Sequence, residues 1–155
     1  MYPLILTLHS ILRWIVLILA VVAFVRALIG WFGNKDWTAL DNRLGMLLSA
    51  SMDLQVLLGI ILYIFLSPIT TSAFRDFGTA MGNELQRFWT LEHVLLMIVA
   101  LILIHVGRAT SKAAEGARSK HKRAAIFFGL ALLGILIAIP WPFLSYGRPL
   151  IRLGL

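Results

Sequence analysis

Cysteine is absent from all 155 residues. Disulfides, Cys-ligated iron–sulfur clusters, thiolate zinc sites and the C-x-x-C-H attachment of c-type haem are thereby excluded. Any metal or haem would have to rest mainly on His, with Met as a second donor. Charge is scarce too. Only 14% of residues are charged while 60% are hydrophobic, a balance that belongs to polytopic membrane proteins rather than soluble domains. No basic residue precedes Arg13, so the charged start of a signal peptide is missing, and the first apolar run is expected to stay as a membrane helix. There is no strand alternation and no internal repeat. Zinc or di-metal chemistry lacks an H-E-x-x-H or Glu-x-x-His pair. Nucleophilic hydrolysis lacks a Ser/His/acid arrangement, and transport lacks inverted repeats.

What is present is four apolar runs, near residues 4–29, 47–66, 88–105 and 125–143, each long enough to cross a hydrocarbon core that takes about 20 helical residues. They predict an all-α, four-helix transmembrane bundle with up-down topology, forming one domain over residues 1–155. The net charge of +7 is not spread as a nucleic-acid surface would be. Six of the fourteen Lys/Arg lie between Arg108 and Arg123, as expected of a loop lying against anionic lipid. Lys35 and Arg43 sit in the first connector, whereas Arg75, Arg87, Arg148 and Arg152 fall on the opposite side. This asymmetry predicts a cytoplasmic first and third connector and both termini outside. His121, inside the basic connector, reads as a surface residue. The second connector, about Ser67 to Arg87, is long, and Gly78 and Gly82 argue against one continuous helix across it.

The polar residues within the runs are the costly ones, because ionisable groups at membrane depth face a bundle interior, a cofactor or a watery cavity. The third run concentrates them: Glu92, His93 and His105, bounded by Arg87 and Arg108. His93 shares a helical face with Met97, Ala100 and Ile104. His105 lies about 120° away around the axis, so the two cannot serve two haems down one face. In the first run His9 and Arg13 stand at i and i+4, on one side, and Arg13 lies about 15 Å along the helix, deep enough to point inward. Arg26 can snorkel near the other end. Asp53 should find Arg26, His105 or a hydroxyl, as a structural pair or a proton-linked one. In the fourth run Ala131, Gly134 and Ala138 form a small-residue stripe suited to close packing.

His9 and His93 therefore become the candidate site. Both lie near the outer ends of helices that run in the same direction, at matching depth. Two imidazoles from two helices are what a six-coordinate b-type haem needs, with Arg13 and Arg87 at heights suited to its propionates. The alternative is a polar cluster of Glu92, His93, Arg13 and His9 that only holds the bundle together.

The order Leu8-His9-Ser10-Ile11-Leu12-Arg13-Trp14, Asp53-Leu54-Gln55-Val56-Leu57-Leu58-Gly59, Glu92-His93, His105-Val106-Gly107-Arg108 and Ile139-Pro140-Trp141-Pro142 resembles a group of small four-helix bacterial membrane proteins labelled cytochrome b-like. The resemblance extends over nearly the whole chain. It implies a place in respiratory or photosynthetic electron transfer in the bacterial inner membrane. The chain would act there either as a haem carrier or as a haem-free accessory subunit of a quinol-oxidising complex such as alternative complex III, with other membrane subunits as partners. Either role would be that of a non-catalytic subunit of an oxidoreductase complex. A quinone-binding or transport protein is the third reading.

Overall fold

The computed structural model describes residues 1–151, so Arg152 lies outside the described residues. Among those described there is no strand. The long helices are α1 (Tyr2–Phe32), α2 (Ala39–Ile61), α6 (His93–Ala113) and α7 (Ala117–Ala138). Between α2 and α6 lie three short ones, α3 (Pro68–Ala73), α4 (Phe77–Gly82) and α5 (Glu84–Arg87). A wide π-helical turn over Leu62–Leu66 extends α2, and another over Phe88–Glu92 leads into α6. Four helical runs are long and apolar enough to cross a membrane: Tyr2–Phe32, Ala39–Leu66, Glu84–Ala113 and Ala117–Ala138. The chain is an all-α, multi-pass membrane protein.

Four helix boundaries differ from expectation, each for a local reason. The second long helix starts at Ala39, not near 47, because Thr38 and Asp41 cap it. The Asp41 carboxylate accepts from the Thr38 backbone N–H at 2.7 Å, satisfying a donor that the helix start would otherwise orphan. The third long helix continues to Ala113, and α7 already begins at Ala117. The basic stretch 108–123 is therefore two helix ends around the turn 114–116, where Gly116 adopts φ 75°. Hydropathy detects only the apolar part of a helix, and Ala, Lys and Arg continue it into the polar zone at little cost. The fourth helix stops at Ala138 rather than 143, since Pro140 disfavours helical geometry at Ile139, whose ψ is 126°.

The second connector is broken as expected, although not at its glycines: Gly78 lies inside α4 and Gly82 ends it, while the breaks fall at 74–76 and at Asn83. Ser67, Asp76 and Asn83 each cap a short helix through a side-chain oxygen. The Thr79 side chain, together with its backbone N–H, holds the exposed Asp76 carboxyl below its ordinary pKa. Tyr63 Oη donates to Thr90 O at 2.8 Å and Thr70 Oγ1 to Tyr63 O at 2.7 Å, which ties the connector to both π turns.

The four long helices pack in a ring, α1 against α2 and α7, and α6 against α2 and α7. The core is built from small residues interleaved with a few large ones. Ala20, Ala23 and Ala27 of α1 and Ala124, Ala125 and Ala131 of α7 are buried beside Leu48, Met52, Ile104 and Phe128. Lipid tails are as apolar as the side chains, so close backbone approach and packing drive helix association rather than transfer from water. The expected α7 stripe is in place, with Ala131 and Ala138 fully buried and a Cβ at Gly134 reaching only ordinary contact with Ala100. Outward-facing Leu, Ile and Val are correspondingly numerous, as a lipid-contacting surface requires.

Candidate functional site

At the end of the bundle where α1 begins and α7 ends, four helices and the C-terminal segment surround a cavity of about 160 Å³. That is on the order of ten water volumes. Its walls are largely apolar, with Val16, Met52, Val56 and Met97 among them; His9, Arg13, Gln55, Trp89, His93 and Arg148 line it beside several hydroxyl-bearing residues such as Ser10 and Tyr63.

His93 enters from the first turn of α6, just past the π turn at Phe88–Glu92. Such turns insert a residue into a helix and recur at functional sites. Its Nδ1 lies 2.9 Å from Ala138 O. Ala138 is the last residue of α7, and Pro140 has ended the helix, so that carbonyl needs an outside donor. Nδ1–H supplies it, which fixes the tautomer and leaves Nε2 with its lone pair free.

His9 enters from α1. Gln55 Nε2 donates to His9 O at 3.1 Å and faces His9 Nε2 at 3.2 Å. A donor on Nε2 places the ring proton on Nδ1, which is buried without a hydrogen-bond partner. Gly59 makes room for this ring, since a Cβ there would stand 3.2 Å from His9 Cε1.

The two rings approach edge-on, with centroids 6.5 Å apart and planes inclined at 66°. A direct imidazole hydrogen bond of about 2.9 Å would bring the centroids to about 5 Å, and none joins them. Two imidazoles on one metal ion, with bonds of about 2 Å and rings of about 1.2 Å radius, stand about 6.4 Å apart. Each ring keeps one nitrogen without a protein partner, a lone pair on His93 Nε2 and an N–H on His9 Nδ1. Arg13 Nε, Gln55 Oε1 and Trp89 Nε1 are likewise buried and unpartnered. Unsatisfied buried polar atoms are uncommon, and these four, on His9, Arg13, Gln55 and Trp89, converge on one cavity.

The remaining candidate residues go elsewhere. Arg87 pairs with Glu92 at 2.8 Å, both side chains 41% exposed, and neither lines the cavity. The expected alternative, with Glu92 bonded to His93, is not what forms, because neighbouring helical residues point about 100° apart. Arg13 Nη2 instead donates to Leu150 O at 2.6 Å, beside Trp14 Nε1 at 2.8 Å, fastening the C-terminal segment over the site. Arg26 pairs with Asp41 at 2.9 Å rather than with Asp53. Asp53 meets His105 at 2.7 Å, on the outside of the bundle. His121, expected at the surface, is fully buried. Its ring packs against Trp37 at 4.9 Å and over Gly30, because α7 begins early enough to turn it onto α1.

Gln55, Gly59, Trp89 and Arg148 are site residues that sequence reasoning did not assign. A signal existed for one of them: Gln55 is a polar residue deep in an apolar run, on the face opposite Asp53. Arg148 follows the last helix and could be placed only by the chain's return over the cavity, where its guanidinium sits 5.4 Å from the Trp89 ring.

Among the described residues no three His, Asp or Glu side chains gather as a metal cluster; the site is a pair of imidazoles. No protein-family model, curated protein or solved structure matches this chain.

Proposed function

We propose that the chain is a small, non-catalytic subunit of a respiratory or photosynthetic electron-transfer complex, with a b-type haem held between His9 and His93. The observation that carries this reading is the 6.5 Å spacing of two inward imidazoles in an apolar cavity, with the His93 Nε2 lone pair free. His9 can offer Nδ1 once the Gln55 amide turns so that Oε1 accepts a proton held on Nε2. When bound, haem would supply one-electron transfer between its ferrous and ferric states. The protein's own part is positional. Ala138 O orients His93, as a backbone carbonyl commonly does for a ligating histidine, and Gln55 and Gly59 set the place of His9. Arg13 and Arg148 are the cations available to propionates, with Arg87 farther out beside Glu92. The apolar walls exclude water.

The membrane placement belongs to the same proposal: a bacterial inner membrane, up-down helices, both termini outside, and the basic ends of α6 and α7 against anionic cytoplasmic lipid. Other membrane subunits, such as those of a quinol-oxidising complex, are the partners. One observation favours a haem-free accessory subunit instead. The Gln55 amide already bonds both His9 O and His9 Nε2, tying α1 to α2 with no cofactor.

A reduced-minus-oxidised spectrum of the purified protein separates the two. The haem reading expects a b-type signal that His93→Ala abolishes. A haem-replete preparation with no such signal, in which His93→Ala only lowers thermal stability, would establish the accessory role.

A further inference from the structure

The outward faces of the bundle are not alike. Every exposed residue of α1 between Leu4 and Ile29 is apolar, and so is every one of α7 between Ile126 and Ile137. The face shared by α2 and α6 carries Asp53 and His105. Asp53 stands midway along the run Ala39–Leu66. Its carboxylate meets His105 Nε2 at 2.7 Å, yet the two side chains remain 54% and 45% exposed. Ala50 and Leu57 flank Asp53 at one-turn spacing, and Ile102 and Ala109 do the same for His105, all exposed. The seam between α2 and α6 is also the least closely packed of the four. An ionisable pair turned toward hydrocarbon at this depth is costly, and such groups normally face protein or water.

The chemistry of the pair indicates what covers it. Hydrocarbon favours the electrically neutral pair over one carrying net charge. That form holds two protons, one within the Asp53–His105 bond and one on His105 Nδ1. It therefore presents one donor, Nδ1–H, beside one acceptor, Asp53 Oδ2, and neither has another partner among the described residues. A donor beside an acceptor is self-complementary under a two-fold rotation, as an isologous interface requires. We propose that the α2–α6 face is the contact between two copies of this chain, related by a two-fold axis along the membrane normal. Each His105 Nδ1–H donates to Asp53 Oδ2 of the other copy, closing a ring of two carboxyls and two imidazoles. Ala50, Leu57, Ile102 and Ala109 surround it as an apolar rim. This inference rests on the outer face alone and stands apart from the cofactor reading of the cavity.

The test uses the full chain, whose lack of native cysteine suits it. Leu57→Cys places a thiol beside the proposed axis, and Ile18→Cys places one on the apolar α1 face. In phosphatidylcholine vesicles at high lipid dilution, copper-catalysed oxidation should give a disulfide-linked dimer of Leu57→Cys and little of Ile18→Cys. Adding Asp53→Leu with His105→Leu, which leaves a wholly apolar face able to insert, should weaken dimer formation by roughly tenfold, the scale of two interhelical hydrogen bonds. Equal cross-linking of the two single-cysteine proteins would overturn the proposal. So would undiminished dimer in the double-leucine variant, or capture of a different chain by Leu57→Cys in native membranes in place of a second copy.

Discussion

At the scale of single residues, one of the tightest fits among the described residues is between Gly30 and His121, at the end of the bundle away from the cavity. A Cβ on Gly30 would overlap the imidazole, which is fully buried and wedged against Trp37. In an ordinary helix Gly→Ala stabilises by about 1 kcal/mol. Here the ring cannot retreat, and forcing a methyl into a filled core costs about 1–3 kcal/mol. Gly30→Ala should therefore lower the unfolding temperature in lipid nanodiscs. In a His121→Ala background the same change should become neutral or stabilising, and persistence of the loss there would show that the clash is not with the ring. His93 shows the complementary case, in which a side chain is held by what a helix end lacks. Ala138 O has no intrahelical donor left to it, and His93 supplies one.

At the scale of elements, the placement of α2 depends on one carboxylate. Asp41 closes the cap at Thr38 and also receives Arg26 from α1 at 2.9 Å. Its side chain is only 3% exposed, while that of Arg26 is 34% exposed, so loss of Asp41 leaves a guanidinium that water can still partly reach. A cap contributes about 1 kcal/mol, and a hydrogen bond to a charged group about 1.5–3 kcal/mol before screening by water. Asp41→Ala should then cost about 2 kcal/mol, measured by denaturant titration in mixed micelles. Arg26→Ala should cost less, because the cap remains. Equal losses from the two would mean that the cap contributes nothing and that the ion pair alone seats the helix.

At the scale of the whole molecule, the distribution of charge predicts orientation. The ends of α6 and α7 carry Arg108, Lys112, Arg118, Lys120, Lys122 and Arg123 around a three-residue turn, and a bilayer retains such a cluster on its cytoplasmic side. Single cysteines in this cysteine-free chain test this directly. Ser119→Cys should react with an impermeant maleimide only in inverted vesicles, and Ser72→Cys only in intact cells. The reverse pattern would place the His9–His93 cavity at the cytoplasmic surface. The two-copy contact through Asp53 and His105 belongs to this scale as well, because a half-exposed ionisable pair is satisfied by an assembly rather than by one chain.

The number of spans and their apolar middles were legible in the residues themselves, because hydropathy integrated over about 20 positions depends on composition and hardly on neighbours. The inward direction of His93 was legible too, since a helix fixes which residues share its face and Met97, Ala100 and Ile104 follow on the same side. Helix ends were not. Thr38 with Asp41, and the Ala- and Lys-rich start of α7, extend helices beyond the hydrocarbon where hydropathy carries no signal. Pairings were settled only in three dimensions. Arg26 chose Asp41 over Asp53, His121 turned inward onto Gly30, and Arg148 came back over the cavity while Arg87 stayed with Glu92. Which of several partners a charged side chain reaches depends on the rotation and depth of two helices relative to each other, and packing between Ala, Gly and Phe surfaces sets those quantities. Residue order along one chain does not contain them.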